Sequence, residues 1–355
     1  LELLPSKTLA QLPVERWWDG EYPFGYLCAP IGKLSPTADL VIDLNDSNNA
    51  HGPHALIGGM TGSGKSELLR TLILSLALTH HPYDLNFALI DYKGGGAFEE
   101  FRGMPHVVGV ITDIQNHADY ATRVIQALSG EVKKRERIII QALRRQGLDK
   151  PHIDEYRQLP VRIPLPRLII IFDEFAEFQE RHPEDCRQLI NIARVGRSLG
   201  MHMILCTQNP AGRAVDQQIR DNSNLKICLK VKSAETSKSL VEIPDAISLG
   251  RGEAFFHVDA PRRFRVAYCG AAYEEEMSDP GKEANVEIDP DGSRKTIYPA
   301  AERSQWVRTE AQAIVDEIGR VATALNMESP PQVWPDPLPE VVDLSTVHEM
   351  CNLEP

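Results

Sequence analysis

The sequence lacks long apolar runs, paired cysteines and internal repeats. Its longest apolar runs, residues 72–78 and 168–172, fall far short of the roughly 20 residues that cross a bilayer. The six cysteines contain no CxxC pair, so we expect buried, reduced thiols and no zinc or disulfide framework. The sequence contains no internal repeats.

The sequence also lacks an excess of basic residues. Acidic side chains outnumber basic ones by 50 to 38, and the formal net charge is -12. Proteins that bind nucleic acid over a broad surface usually carry a basic excess, so this balance argues against nucleic acid as a partner. A local basic groove would still be compatible with this net charge. With 42% hydrophobic and 25% charged residues, the chain has the composition of an ordinary folded protein of about two domains at most.

The amino-terminal end lacks both an initiator Met and the basic, apolar and small-residue pattern of a signal peptide. We therefore interpret the chain, which begins at Leu1, as a section of a longer protein. The lack of an anchoring segment here says nothing about that longer protein.

From residue 55 onward, short apolar runs alternate with longer amphipathic ones. This alternation is typical of βα units around a parallel sheet, and we predict an α/β fold with a mostly parallel central sheet flanked by helices. The predicted parallel strands are residues 55–57, 86–91, 107–111, 168–173, 201–207 and 225–231. The predicted helices between them are residues 65–79, 117–146 and 184–198. Two later strands, 253–257 and 264–268, would extend the sheet in antiparallel fashion.

Composition divides the chain into four predicted sections. Residues 1–50 form a lead-in packed on the main domain, which covers residues 51–271. Residues 272–325 form a polar loop followed by a helix from about residue 304. Residues 326–355 are rich in proline and predict an extended linker to a following module. Trp334 lies in that linker, and we expect it to be exposed and suited to a groove of a neighbouring module, with a plain spacer as the alternative.

The most specific motif is GMTGSGKS, which satisfies G-x-x-x-x-G-K-[ST] between a predicted strand and a predicted helix. Glycines let successive backbone N–H groups converge on a phosphate, and the helix N-terminus adds free donors and a favourable dipole. Lys65 would reach the β- and γ-phosphates, and Ser66 would bind Mg²⁺. The predicted nucleotide-binding residues are Gly59, Met60, Thr61, Gly62, Ser63, Gly64, Lys65, Ser66 and Glu67.

A phosphate loop needs acidic partners, and two carboxylates end the apolar run LIIIFDE. Asp173 would hold Mg²⁺, and Glu174 would activate the attacking water as a general base. Gln208 follows the predicted strand 201–207 at the same sheet edge, where it would contact the γ-phosphate or water, or be an ordinary strand-end amide. The run DYKGGG at residues 91–96 ends another strand there, as a mobile turn beside the nucleotide or as a purely structural turn.

Several segments together resemble one known family. These are GGMTGSGKSELLRTLILSLALTH, LNFALIDYKGGGAFEEF, MPHVVGVITD, LIIIFDEFAEF and ARVGRSLGMHMILCTQNP. They resemble the FtsK/SpoIIIE motor ATPases, and within that group the first ATPase module of the EccC/EssC proteins of type VII secretion. The resemblance implies a RecA-like P-loop fold, ATP and Mg²⁺ as cofactors, and a ring or stacked oligomer with sites at subunit interfaces. It also implies membrane-spanning helices upstream, and hence a place on the cytoplasmic side of the cell membrane.

The same resemblance implies an arginine finger supplied in trans by a neighbouring subunit. Arg123, on the predicted helix 117–146, lies where that finger should fall, and Arg194 and Arg197 are rival candidates. A finger from a neighbour implies low activity in an isolated chain. The implied catalytic set is Glu174, Lys65, Arg123 and Gln208, and the implied metal ligands are Ser66 and Asp173.

Three functions are compatible with these residues. The first is an ATP-hydrolysing secretion motor whose partners are its own copies, adjacent ATPase modules, secreted proteins and membrane components of the secretion machine. The second is an FtsK-like DNA translocase, which the acidic, proline-rich carboxyl end disfavours. The third is a scaffold in which ATP stabilises assembly with little hydrolysis.

Overall fold

A computed structural model provides the fold of this chain. It describes residues 3–4, 9–47, 49–116, 118–144, 147, 151–160, 163–208, 215, 217–273, 285–288, 294–297, 308–328 and 330–334.

A central sheet of ten strands organises the described residues, in the order β2-β1-β10-β9-β8-β3-β7-β6-β4-β5. The six strands from β8 to β5 run parallel, and β2, β1, β10 and β9 join them in antiparallel fashion. The strand bounds are β1 Cys28–Ser35, β2 Ala38–Asp43, β3 Ala55–Gly58, β4 Leu85–Asp91, β5 Val107–Thr112, β6 Arg167–Asp173, β7 Met201–Thr207, β8 Leu225–Leu229, β9 Glu253–His257 and β10 Arg262–Val266. A separate hairpin pairs β11 Asn285–Ile288 with β12 Arg294–Ile297.

Helices cover both faces of the sheet, as the sequence predicts. Their bounds are α1 Val14–Trp18, α2 Lys65–Thr79, α3 Ala118–Arg144, α4 Ile153–Arg157, α5 Phe175–Arg181, α6 Pro183–Gly196, α7 Gln217–Asn222, α8 Ala234–Val241 and α9 Glu310–Ala324. One apolar core joins α1, α2 and α9 to the sheet, and a second joins α3, α5, α6 and α8 to its other face. The predicted mostly parallel sheet flanked by helices is confirmed.

Strand β6 shows why the parallel strands read as unbroken apolar runs. All seven of its residues are buried. Ile169 and Ile171 pack into the core with α2, whereas Leu168, Ile170 and Phe172 pack into the core with α3. Because both faces of a parallel sheet are covered by helices, such a strand is apolar on both faces, here at residues 168–172, and carries polar side chains only at its ends.

The amino-terminal lead-in contributes directly to this sheet. Strand β1 pairs with β10, and β2 pairs with β1 at the sheet edge. Helix α1 packs beside α2, where Trp18 Nε1 donates a hydrogen bond to the Ala77 carbonyl at 3.2 Å. The described part of residues 1–50 therefore extends the same layers as residues 51–271.

The structure contradicts the expectation that Trp334 is exposed. Its exposed fraction is only 5%, and it packs against Gly109 of the edge strand β5. The Val333 N–H donates to the Val108 carbonyl at 2.9 Å. An edge strand offers unpaired backbone groups, and a residue without a side chain leaves room for an indole. The segment 330–334 of the predicted linker thus packs on its own module.

Helix α9 begins later than predicted, at Glu310. Thr309 caps it, and Gln312 completes a capping box, so the local sequence defines the start. Residues 304–307, which the prediction included, lie outside the described residues, as do residues 335–355 of the predicted linker.

Two further expectations concern membranes and thiols. Within the described ranges, no helix combines the length and the apolar character that crossing a membrane requires. Cys28, Cys186, Cys206, Cys228 and Cys269 are free thiols, and all but Cys28 are buried. Cys351 lies outside the described residues.

Candidate active site

The carboxyl ends of β3, β7, β6 and β4 meet at one edge of the sheet, and the glycine-rich loop crosses that edge between β3 and α2. The Gly59 N–H donates to the Thr207 carbonyl at 3.1 Å, and the Met60 N–H donates to the Lys230 carbonyl at 2.8 Å. These two bonds tie the loop to the strands on either side of β3.

Glycine is required at particular loop positions. Gly62 and Gly64 have φ angles of 79° and 107°, in the left-handed region that other residues rarely adopt. A Cβ added at Gly59 would lie 2.9 Å from the Leu229 Cβ. The loop leads straight into the 15-residue helix α2, whose first backbone N–H groups lack intrahelical partners. Loop and helix together therefore form an anion-binding cradle.

A buried charge cluster lies at the mouth of this cradle. Lys65 Nζ is 2.6 Å from Asp173 Oδ1 and 2.7 Å from Glu174 Oε1. The exposed fractions of the three residues are only 6–7%. Burial opposes the charge on Lys65, but the attraction of the Asp173 and Glu174 carboxylates is stronger and raises its pKa to about 12. Lys65 therefore carries its positive charge throughout the physiological pH range.

Glu174 is held in a strained and well-defined position. Its backbone lies in the left-handed region (φ 59°, ψ 39°), and its N–H donates to Asp173 Oδ1 at 2.9 Å. Burial raises the pKa of its carboxyl, but Lys65, Gln208 and Lys93 outweigh burial and keep the pKa below its ordinary value. A backbone strain of this kind costs on the order of 1–3 kcal/mol and persists only where the surrounding contacts hold the residue in place.

Gln208 links the loop to Glu174. Its Nε2 donates to Glu174 Oε1 at 2.7 Å, and its Oε1 accepts a hydrogen bond from Thr61 Oγ1 at 2.8 Å. The structure thus brings Thr61, Lys65, Asp173, Glu174 and Gln208 together. The amide is a bridge between two parts of the site and has specific partners at both ends.

The oxygen groups here suit a magnesium ion. Asp91 and Asp173 are register partners on β4 and β6, and Asp91 is 2% exposed. Burial and the charge of Asp173 raise the pKa of Asp91, and its Oδ2 has no hydrogen-bond partner within the described residues. Hard oxygen ligands of this kind, with the Ser66 hydroxyl in the first turn of α2, fit Mg²⁺. No group of three or more His, Cys, Asp or Glu in the described ranges could hold a metal alone, so the fit requires Ser66 or phosphate oxygens as well.

Comparisons with known proteins agree with this geometry. The model of the FtsK/SpoIIIE family matches residues 27–212, which is more than half of the chain. The chain belongs to the FtsK/SpoIIIE family.

Within that family, the similarity to secretion proteins is extensive. The chain is 37% identical over 354 residues to the ESX secretion system protein YukB of Bacillus subtilis, and the match covers 96% of the chain and 23% of YukB. The chain therefore spans about a quarter of the curated relative. The cytoplasmic domain of the Thermomonospora curvata type VII secretion ATPase EccC is similar in structure, with a TM-score of 0.77 and 29% identity over 95% of this chain and 36% of that one. The pCW3 conjugation coupling protein TcpA matches less well, with a TM-score of 0.55 and 26% identity over 75% of this chain and 71% of that one.

Not every predicted nucleotide-binding residue joins the cluster of this FtsK/SpoIIIE domain. Glu67, three residues into the motif helix, pairs with Arg70 at 2.9 Å, and Arg70 also pairs with Glu100 at 2.6 Å. The carboxylate of Glu67 is thus neutralised by Arg70 on the side of α2. Among the described residues, Glu67 forms no hydrogen bond or ion pair with Lys65, Asp173 or Glu174.

Arg123 is carried by the helix that follows the edge strand of the sheet. Its helix α3 follows the edge strand β5, which is four strands from β3, or about 19 Å. The guanidinium lies 6.0 Å from the centre of the Tyr120 ring, and the side chain lines a cavity of about 650 Å³ beside Asp113 and Trp334. The structure therefore places Arg123 beside the edge of the sheet, and strands β7, β6 and β4 lie between β5 and the strand that leads into the loop.

The two rival arginines have partners at the other end of the sheet. Arg194 donates to Asn191 Oδ1 at 2.9 Å, and Arg197 forms a bidentate ion pair with Asp46. Both lie at the carboxyl end of α6, just before β7 begins. Parallel strands begin at the edge opposite the phosphate loop, so neither arginine lies near the loop of its own chain.

One basic residue of the site escaped the sequence reasoning. Lys93, in the turn after β4, lies 2.6 Å from Glu177 Oε1 and 3.8 Å from Glu174 Oε2 through its Nζ. The signal was present in the run DYKGGG, which ends a strand at the same edge as LIIIFDE. Nothing local shows that β4 and β6 are neighbours, so the pairing of Lys93 with Glu174 depends on strand order.

Proposed function

We propose that this chain is an ATP-hydrolysing motor module that works in an oligomer and serves type VII protein secretion. The observation that carries the proposal is the ion-paired cluster of Lys65, Asp173 and Glu174 at the mouth of a glycine-rich loop. The similarity to YukB and to EccC supports the assignment to secretion.

Each residue of the cluster has a distinct role in this proposal. The loop amides and Lys65 bind the phosphates, and Ser66 and Asp173 hold Mg²⁺, which supplies neutralising charge when it is bound with ATP. Glu174 accepts the proton of the attacking water, and its depressed pKa keeps it ionised for that task. Gln208 orients Glu174 and connects it with Thr61.

Arg123 is proposed to act on the site of a neighbouring copy. Its position beside the edge strand favours action in trans. Arginine suits the role because its guanidinium stays charged and offers several donors to phosphate oxygens. A finger of this kind contributes on the order of 10³ to 10⁵ in rate, so an isolated chain would be slow. A neighbouring copy must therefore complete the site.

The proposed partners follow from the family. They are further copies in a ring or stack, adjacent ATPase modules of a longer protein, secreted proteins and membrane components of the machine. The proposed location is the cytoplasmic side of the cell membrane. A DNA translocase is the second candidate, favoured by the similarity to the conjugation protein TcpA. The net charge of -12 disfavours it.

The test is steady-state ATP hydrolysis as a function of protein concentration. Lys65→Ala should abolish the rate, and Arg123→Ala should abolish its concentration dependence. Chains that carry Arg123→Ala should regain activity when mixed with Glu174→Gln chains, since each supplies what the other lacks. If the mixture stays inactive while the wild type is active, Arg123 does not act in trans.

Two further results would select the alternatives. Stimulation of hydrolysis by duplex DNA that falls steeply with salt would support the translocase and contradict the secretion motor. Tight ATP binding without turnover at any concentration, with assembly that depends on ATP, would support the scaffold. Under the scaffold reading, Glu174→Gln would leave assembly intact.

A further inference from the structure

Lys93 faces two carboxylates at the start of α5. Its Nζ lies 2.6 Å from Glu177 Oε1 and 3.8 Å from Glu174 Oε2. Glu174 immediately precedes α5 and Glu177 lies in its first turn, and both carboxylates face the same ammonium group. The side chains of Lys93 and Glu177 are 35% and 38% exposed, whereas that of Glu174 is 7% exposed. One ammonium group therefore connects a buried carboxylate with a half-exposed one.

The two oxygens of Glu174 have different neighbours. Oε1 accepts hydrogen bonds from Lys65 Nζ and Gln208 Nε2, each at 2.7 Å. Oε2 faces Lys93. Lys65 also contacts Asp173. In the proposed function it binds the phosphates of ATP as well. Lys93 contacts Glu174 through the oxygen that Lys65 and Gln208 leave, and its other ion-pair partner is Glu177.

The turn that carries Lys93 is itself well fixed. Asp91 Oδ1 accepts the N–H groups of Lys93 at 3.2 Å and Gly94 at 3.1 Å. The Asp113 N–H donates to the Asp91 carbonyl at 3.0 Å, and a Cβ added at Gly94 would lie 2.9 Å from the Asp113 Cβ. The turn is therefore locked between the end of β4 and the connection from β5 to α3, and this lock places Lys93 opposite Glu174.

We propose that Lys93 is a positioning residue for Glu174, which holds Oε2 while Lys65 and Gln208 act on Oε1. The proposal rests on the proposed function, because it assigns Lys93 to the orientation of the general base. The pair with Glu177 keeps the ammonium group beside α5. Lys93 thereby constrains the left-handed backbone at Glu174 from the side that its other partners do not reach.

The experiment compares Lys93→Met with Lys93→Arg at a protein concentration where the rate per chain no longer rises. Lys93→Met should lower kcat about 10- to 100-fold, because a small displacement of a reacting group has an effect of that order. The affinity for a fluorescent ATP analogue should change less than about twofold, and Lys93→Arg should restore most of kcat. Lys134→Met is the matched control, since Lys134 pairs with Glu131 at 3.2 Å on the exposed side of α3 and should leave kcat unchanged.

Two results would overturn the proposal. A fall in nucleotide affinity as large as the fall in kcat/KM would make Lys93 a phosphate ligand. An unchanged kcat would make its contacts structural.

A second measurement does not depend on turnover. Melting temperatures of the wild type, Lys93→Met, Glu174→Gln and the double variant should be non-additive, because each single change removes the same interaction. Additive shifts would show that the two side chains are not coupled and would overturn the proposal. If the wild type binds ATP but never hydrolyses it, the proposed function fails, and this cycle alone decides whether Lys93 acts on Glu174.

Discussion

Replacing Gly109 by alanine tests how the segment around Trp334 is held on the edge of the sheet. The added Cβ would lie 2.5 Å from Trp334 Cε2 and 2.7 Å from its Cζ2, far inside van der Waals contact. The indole must therefore move or leave its site. Overpacking of this kind costs about 1–3 kcal/mol of unfolding free energy, and full loss of a buried Trp about 3–5 kcal/mol.

The assay is urea unfolding followed by circular dichroism for four proteins: the wild type, Gly109→Ala, Trp334→Ala and the double variant. We expect Gly109→Ala to cost about 2 kcal/mol in the wild type and less than about 0.5 kcal/mol once Trp334 is absent. Gly130→Ala is the matched control, because an added Cβ there meets nothing within 4 Å on helix α3. That change should stabilise the protein by about 0.5–1 kcal/mol.

Additivity would refute this reasoning. If Gly109→Ala costs the same with and without Trp334, within about 0.5 kcal/mol, the two residues are not in contact in solution. The cost would then arise from strand β5 itself, and the described carboxyl-terminal segment would have to be regarded as an exposed linker.

Three other outcomes are expected. Gly64→Ala should reduce binding of a fluorescent ATP analogue at least tenfold, because φ is 107° there and the added Cβ would lie 3.2 Å from the Gly252 Cα; unchanged affinity would contradict the loop geometry. Glu174→Gln should keep nucleotide affinity within a few-fold but lower kcat about 10² to 10⁴-fold, and a loss of less than threefold would exclude Glu174 as the general base. The buried imidazole of His80 has a pKa lowered to about 4 by desolvation, so the unfolded chain takes up a proton near pH 6.5 that the folded chain does not. Its contribution to stability is complete above about pH 6.5 and is lost as the pH falls toward 4. Burial also lowers the pKa values of His54, His106 and His202, so His80→Gln should reduce the slope of the unfolding free energy against pH over that window without removing it; an unchanged slope would show that His80 does not titrate in this way.

Local patterns were sufficient for the elements that carry the site. The run from Lys65 to Thr79 was predicted as a helix with the bounds that the structure shows, and residues 201–207 as a strand with its observed bounds. These segments are decided by their own residues: a glycine-rich turn, a helical run of apolar side chains, and a strand that is apolar on both faces. Asp173 and Glu174 were also placed correctly at the end of β6, since a strand that ends in two carboxylates is visible in one stretch of sequence.

Such local patterns did not predict contacts between segments that are far apart in the sequence. Trp334 was expected to be exposed because prolines surround it, yet the edge strand β5 and the space above Gly109 bury it. Lys93 was passed over as part of a turn, although its ammonium group lies beside Glu174. Gln208 was placed at the correct edge, but its bridge between Thr61 and Glu174 was not foreseen.

By itself, then, the sequence determined the class of fold, because strand-like and helix-like runs alternate along the chain. It also determined the glycine-rich loop and its acidic partners, because each of these is encoded within a few consecutive residues. Only the tertiary structure decided which side chains form ion pairs with one another, beside which strand Arg123 lies, and what covers the edge of the sheet. Those outcomes depend on the order of strands, in which β4 lies beside β6 and β5 lies at the edge. Strand order results from packing across the whole sheet, and no single segment contains it.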